Sequence, residues 1–267
     1  MNKLSDRLNR LSYSQTFVMS NKAREMKAAG IDVISLTLGE PDFDVPANIK
    51  QAAFDAINQN FSHYSPVPGF LELRQAIAKK LKRDNHLDYK PTQICVSNGA
   101  KQSILNVLAA VVNDGDEVIL PAPYWVSYDE MVKMMGGTSV FIETNIDTEF
   151  KMTAEQLEAA ITPKTKVILY SSPCNPSGSY YTKDELEKIA NVVAKYPYVT
   201  IISDEIYEYI NYDGKHTSIA EFPQVYEQTA VINGMSKAFA MTGWRIGYSA
   251  CPEWLADACD KLQGQVT

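Results

Sequence analysis

The sequence predicts an α/β fold, a mostly parallel sheet flanked by helices on both faces. Two observations carry that expectation. From about residue 93 onward, short β-rich runs alternate with helical patterns, the arrangement of successive βαβ units. The composition is that of an ordinary globular chain, 45% hydrophobic and 21% charged over 267 residues, with no internal repeat and no low-complexity stretch. It excludes collagen-like, coiled-coil and disordered classes.

In chain order, the apolar spacing Phe70, Leu73, Ile77, Leu81 marks an amphipathic helix. Gln93-Ile94-Cys95-Val96 reads as a strand, followed by a helix over about 100–112. The turn Asp114-Gly115-Asp116 leads into the strand Glu117-Val118-Ile119-Leu120 and a helix over about 128–135. Gly136-Gly137 precede a strand near 139–142, and Thr153 caps a helix containing Leu157 and Ile161. A strand at 166–170, a helix at 182–194 and strands at 199–203, 230–232 and 246–249 complete the alternation.

The net charge of −7 argues against nucleic-acid binding, which demands a basic surface. No apolar run approaches the ~20 residues that cross a bilayer, and no signal-peptide pattern opens the chain. Cys95, Cys174, Cys251 and Cys259 show no C-x-x-C spacing and are too few for a disulfide scaffold, so a reduced, cytoplasmic setting is expected. Residues 1–30 carry six Lys/Arg against two Asp/Glu, a net of +4 that leaves −11 for the rest. This basic arm, with Leu4, Leu8 and Leu11, is expected to form a short amphipathic helix packed on a domain or a neighbouring subunit.

Ligands of open α/β sheets sit outside the carboxyl ends of the strands. After Val96 comes Ser97-Asn98-Gly99-Ala100-Lys101, a glycine at a helix start that suits an anion. Leu120 is followed by Pro121-Ala122-Pro123-Tyr124-Trp125, and Tyr170 by Ser171-Ser172-Pro173-Cys174-Asn175-Pro176-Ser177-Gly178. Ile202 leads into Ser203-Asp204-Glu205-Ile206-Tyr207, and Ile232 into Asn233-Gly234-Met235-Ser236-Lys237. Each piece has an ordinary structural meaning: a helix start, a turn, a cap, a core tryptophan, a surface lysine. The three histidines lack metal-ligand spacing, so no metal site is expected. Together the pieces fit pyridoxal 5'-phosphate, which needs a lysine for a Schiff base, a carboxylate for its pyridine nitrogen, an anion site and a flat apolar group.

The segment Gly234-Met235-Ser236-Lys237-Ala238-Phe239-Ala240-Met241-Thr242-Gly243-Trp244-Arg245-Ile246-Gly247 matches the attachment-site pattern of class I/II pyridoxal-phosphate aminotransferases. Asn175-Pro176-Ser177-Gly178, Ser203-Asp204-Glu205-Ile206-Tyr207, Gly39-Glu40-Pro41-Asp42-Phe43 and Tyr64-Ser65-Pro66-Val67-Pro68-Gly69 accompany it in order. The chain resembles this family from end to end, and specifically its bacterial-type aspartate aminotransferases.

The resemblance implies the large domain of the fold type I pyridoxal-phosphate transferases and a transaminase of the EC 2.6.1 type. It implies amino-group transfer between L-aspartate, or a related amino acid, and 2-oxoglutarate by a ping-pong route. Lys237 would carry the Schiff base and shuttle the substrate Cα proton. Asp204 would pair with the pyridine nitrogen, and Tyr207 and Asn175 would hydrogen-bond the ring oxygen. Ser236, Arg245 and the Gly99-Ala100-Lys101 helix start would hold the phosphate, and Trp125 would stack on the ring. Tyr64 would reach a neighbouring subunit's phosphate, which implies a homodimer with shared active sites. Gly39, Lys101, Trp125 and Asn175 would meet the substrate; Lys101 resembles the group that takes the side-chain carboxylate of aspartate or glutamate. The implied partners are amino acids and 2-oxo acids, with neither nucleic acid nor membrane among them.

Two further expectations concern extent. Residues 1–44 read as an N-terminal arm and part of a small domain, and 45–267 as the large domain ending in the start of an interdomain helix. Relatives continue through the rest of the small domain to an arginine that grips the substrate α-carboxylate, so the chain reads as C-terminally truncated. The alternatives are a pyridoxal-binding but catalytically incompetent fragment or homologue, and an aminotransferase for aromatic or other neutral amino acids.

Overall fold

The structure is a computed structural model that describes residues 3–214 and 216–267. Seven strands form one sheet: β1 (Ile94–Asn98), β2 (Glu117–Ala122), β3 (Thr138–Glu143), β4 (Thr165–Ser171), β5 (Thr200–Asp204), β6 (Thr229–Gly234) and β7 (Ile246–Ala250). Their order is β1-β7-β6-β5-β4-β2-β3. Pairings from β6 through β5, β4 and β2 to β3 are parallel, whereas β7 runs antiparallel to both β1 and β6.

The helices are α1 (Asp6–Asn9), α2 (Gln15–Ala28), α3 (Ala47–Asn58), α4 (Leu71–Asn85), α5 (Ala100–Val111), α6 (Ser127–Met134), α7 (Ala154–Ala160), α8 (Lys183–Val193) and α9 (Glu253–Val266). Local chemistry sets several boundaries. Thr153 and Thr182 start α7 and α8 as capping boxes, each hydroxyl accepting the amide three residues on. The side chains of Gln156 and Glu185 return the bond to the cap amides at 2.9 and 2.7 Å. His86, in the left-handed conformation, ends α4.

Alternation along the strands divides the core into two layers. Val118, Leu120, Val167, Leu169, Ile202, Ala230 and Ile232 pack with Ile104, Val107 and Leu108 of α5, Met131 of α6 and Leu255 of α9. Their neighbours Ile119, Ile168, Tyr170 and Ile201 face Leu157 of α7 and Leu186 and Ile189 of α8. Val231, Tyr248 and Ala250 meet Ile77 and Leu81 of α4. Each such leucine or isoleucine, removed from water, stabilises the fold by roughly 1.5–3 kcal/mol.

Gln263 of α9 closes the β1 side. Its side-chain oxygen accepts from Ser97 Oγ and Asn106 Nδ2 at 2.8 and 2.9 Å. Its amide nitrogen donates to the carbonyls of Val67 and Val96 at 2.7 and 2.8 Å.

The basic arm forms a helix, α1, four residues long, with Leu4 and Leu8 56% and 50% exposed in the single chain. A polar contact ties the arm to α6, Ser12 N donating to Glu130 Oε2 at 2.8 Å. Ala23 is the one buried residue among those described before α4. No helix among the described residues is long and apolar enough to cross a membrane.

Candidate functional site

The carboxyl ends of the parallel strands gather the candidate residues along one edge of the sheet. Because β7 is reversed, its beginning lies there, with Ile246 opposite Asn98 of β1 and Gly247 opposite Gly234 of β6. That reversal brings Arg245 beside the start of α5. The Gly99–Arg245 approach is tight: a Cβ on Gly99 would lie 2.3 Å from Arg245 Nη2. Gly99 has φ of +82°, a conformation L side chains rarely adopt. Gly247 is equally constrained, since a Cβ there would lie 2.1 Å from Ala100 N. The first amides of a helix have no intrahelical acceptor, so a guanidinium and open N–H groups converge where glycines keep space clear.

Lys237 follows β6 by three residues and is half-buried. Its Nζ donates to the Gly39 carbonyl at 2.5 Å and stands 5.6 Å from the Tyr207 ring centroid. Thr242 Oγ1 donates to the Glu40 carboxylate, so the 39–40 segment lies across the lysine. Burial lowers the Lys237 pKa; Glu40 opposes the shift and Arg245 adds to it.

Asp204 ends β5 and is buried. Its Oδ2 accepts from the Tyr128 hydroxyl at 2.7 Å and its Oδ1 from the Ile206 amide at 3.2 Å. Burial pushes its pKa up to about 6, against the lowering effect of those two bonds. Asn175 Nδ2 donates to the Tyr207 hydroxyl at 3.5 Å, joining the loops after β4 and β5. Burial and then the Asp204 charge raise the Tyr207 pKa, while Asn175 opposes. Lys101 Nζ stands 4.8 Å from the Trp125 ring centroid. Burial lowers its pKa, and Arg245 adds to the lowering.

The structure therefore brings Gly39 to Lys237, Asn175 to Tyr207, Lys101 to Trp125, Arg245 to Gly99 and Gly247 to Ala100. Ser236 is buried next to Lys237 in the chain. Tyr64 is fully exposed and makes none of these contacts. Sequence reasoning missed Tyr128, which it placed only at a helix start. Its position one turn beyond Trp125, on the buried side of an amphipathic helix, is the signal that could have found it; the rings meet edge-on at 5.5 Å.

Sequence reasoning also missed a second polar cluster. Glu205, Glu208 and His216 bring their ligand atoms within 4.8 Å of one another. Their acceptors are already used. Glu205 takes His216 Nε2 at 2.9 Å, Ser203 Oγ at 2.9 Å and Ser218 Oγ at 2.6 Å. Glu208 takes Lys80 Nζ, and Asn85 Nδ2 and Asn233 Nδ2 at 2.8 and 2.9 Å. The cluster is a satisfied internal network joining α4, β5 and β6.

A lysine with a depressed pKa, a buried carboxylate, an amide–phenol pair and an arginine at a helix start thus lie along one edge of an open α/β sheet. The family described as "Aminotransferase class I and II" matches residues 31–267. The chain belongs to that family. It is 50% identical over 266 residues to the aspartate/prephenate aminotransferase of Cereibacter sphaeroides, covering 99% of this chain and 66% of that one. Among solved structures, the aspartate aminotransferase of Rhizobium meliloti superposes with a TM-score of 0.96 at 41% identity, over 100% of this chain and 67% of that chain. That of Thermus thermophilus with maleate gives 0.96 and 41%, over 100% and 69%. The chain spans about two thirds of the length of the relatives it matches.

Proposed function

We propose that this chain forms the cofactor-binding part of a pyridoxal 5'-phosphate-dependent aminotransferase acting on L-aspartate, or a related amino acid, and 2-oxoglutarate. The observation that carries this is the half-buried Lys237, with its pKa lowered, on the same sheet edge as Asp204 and the Arg245–Gly99 cradle. The group fits: two glycines let the Arg245 guanidinium and β7 close on the start of α5, where a Cβ would intrude, and the buried carboxylate suits a cationic ring nitrogen. Arg245, Ser236 and the helix start Gly99-Ala100-Lys101 would hold the phosphate. Asp204 would face the ring nitrogen, Asn175 and Tyr207 the ring oxygen, and Trp125 the ring face. When bound, the cofactor supplies an aldehyde that condenses with amines and a ring that accepts the electron pair left by a departing Cα proton.

The chain's own residues then have defined work. Lys237 must be a neutral amine to attack an aldehyde, and its burial and Arg245 favour that form. Its Nζ would take the substrate Cα proton and return it to the neighbouring position. To do either it must leave the Gly39 carbonyl. Lys101, on the Trp125 face, is a half-buried cation suited to a substrate's second carboxylate. Maleate, named with the Thermus thermophilus relative, is a dicarboxylate. Gly39 would line the substrate's other end. Tyr64, fully exposed here, would serve the phosphate of a second copy in a homodimer.

The chain should be incubated with pyridoxal 5'-phosphate, aspartate and 2-oxoglutarate. Formation of oxaloacetate and glutamate in equal amounts supports transamination. Cofactor binding without turnover would support a binding fragment instead, and turnover only of aromatic amino acids would overturn the acidic-substrate reading.

A further inference from the structure

Asp204 is the counter-charge for the ring nitrogen in the reading above, on which this inference rests. Yet nothing in that reading says what keeps a buried carboxyl ionised. Among the described residues, Asp204 has one side-chain donor, the Tyr128 hydroxyl. Tyr128 is itself 1% exposed and reaches across from α6 to the end of β5, between residues 76 apart in sequence.

We propose that Tyr128 is a positioning residue for the cofactor's ring nitrogen: its hydroxyl holds Asp204 as a carboxylate and fixes that carboxylate's orientation. Geometry gives the reason. Tyr128 engages Oδ2 and the Ile206 amide engages Oδ1, so the carboxylate plane is tied at both oxygens. Each oxygen keeps a further lone pair for an incoming N–H. A phenol that donates also stabilises the anion over the acid.

The surroundings pull the other way. Burial raises the Asp204 pKa, and Glu205 on the adjoining position adds to the rise. Tyr207, from the same turn, also faces the carboxylate, and its own pKa is raised in part by that charge. Cys174, from the loop after β4, lies near the Tyr128 hydroxyl and is not a donor to Asp204. Among these groups, Tyr128 and the Ile206 amide are the two that favour the anion.

The link extends to the loop after β4. The Ser171 hydroxyl lies beside the Tyr128 phenol, opposing the rise of its pKa, and accepts from the Asn175 backbone amide at 3.4 Å. The residue proposed for the ring oxygen is thus connected through Ser171 and Tyr128 to the residue proposed for the ring nitrogen.

Tyr128→Phe removes the hydroxyl and keeps the ring that packs on Trp125. Two measurements on the full chain read its effect. In the cofactor-free state, the Asp204 carboxyl is titrated by carbon NMR, with Asp204→Asn to assign its signal. The variant should titrate at higher pH than the wild type, because the anion has lost a donor; an unchanged midpoint overturns the proposal.

In the second measurement, equilibrium binding is compared for pyridoxal 5'-phosphate and for its analogue with C–H in place of the ring nitrogen. The wild type should prefer the natural cofactor, and Tyr128→Phe should lose about tenfold of that preference while binding the analogue as before. An equal loss for both probes marks a merely structural residue and overturns the proposal. A wild type that binds neither probe overturns the functional reading itself, whereas the cofactor-free titration still reports on the pair. Should Tyr128→Phe fail to fold, the unsubstituted chain decides: a slowly exchanging Tyr128 hydroxyl proton must shift as Asp204 titrates, and its absence refutes the pair.

Discussion

Asp204 and Glu205 are adjacent, buried and acidic, yet the chain treats them differently. Glu205 faces the α7–α8 side and receives a histidine and two serine hydroxyls, all from within the chain. Asp204 faces α6 and receives one phenol and one backbone amide. A buried carboxylate with a full set of internal partners holds its surroundings together. One left short of donors, with its pKa pushed up to about 6, is suited to a cation that arrives from outside. The contrast separates an acid satisfied within the chain from the one proposed to serve the cofactor, without reference to their order in the chain.

The comparison breaks most visibly at Glu205. Glu205→Ala leaves His216, Ser203 and Ser218 without their acceptor and should cost about 3–5 kcal/mol in urea unfolding. A loss below about 1 kcal/mol would mean that the network does not stabilise the fold.

Asp204→Asn should do the opposite in the cofactor-free chain. The native carboxyl holds its proton more tightly than an unfolded one of ordinary pKa 3.8. Wild-type stability therefore falls as pH rises from about 4 to about 6. Relative to the wild type, the variant should gain about 2–3 kcal/mol between pH 4 and pH 7.5. A constant difference between the two chains across that range would refute the assignment.

Among the described residues, neither Lys101 nor Asp204 has an ion-pair partner, and the Lys101 pKa is lowered by burial and by Arg245. Lys101→Ala should lower kcat/KM for aspartate relative to an aromatic amino acid by about tenfold. Unchanged relative values would remove Lys101 from substrate recognition.

The smallest effect belongs to His216. Burial acts to lower its pKa, but the Glu205 charge and hydrogen bond more than reverse this, so the net shift is upward. The stability gained from the pair is full below the ordinary histidine value of about 6.5 and is lost as pH rises through the raised native value. His216→Gln should flatten the pH dependence of the unfolding midpoint above neutrality, which urea titrations at several pH values would reveal.

Most of the fold was legible because strands and helices announce themselves locally. The capping boxes at Thr153 and Thr182 and the alternation of Val118, Ile119 and Leu120 need no distant partner to be read. The candidate residues Asn175, Asp204 and Lys237 could be picked out for the same reason, since each lies at or just beyond the end of a strand. What sequence could not supply was pairing across the fold. Tyr128 and Asp204 lie 76 residues apart, and Gln263 meets Ser97 across 166. No local pattern records either bond. Leucine spacing in the arm likewise shows which face of a helix is apolar, not what covers it.

Trapping the cofactor tests the central assignment most directly. The chain should be mixed with pyridoxal 5'-phosphate, reduced with borohydride, digested and mapped by mass. The account predicts one modified peptide with the added mass on Lys237, and no modification of Lys101. A label on Lys101 or on surface lysines alone, or a wild-type label that persists at full level in Lys237→Ala, would contradict it.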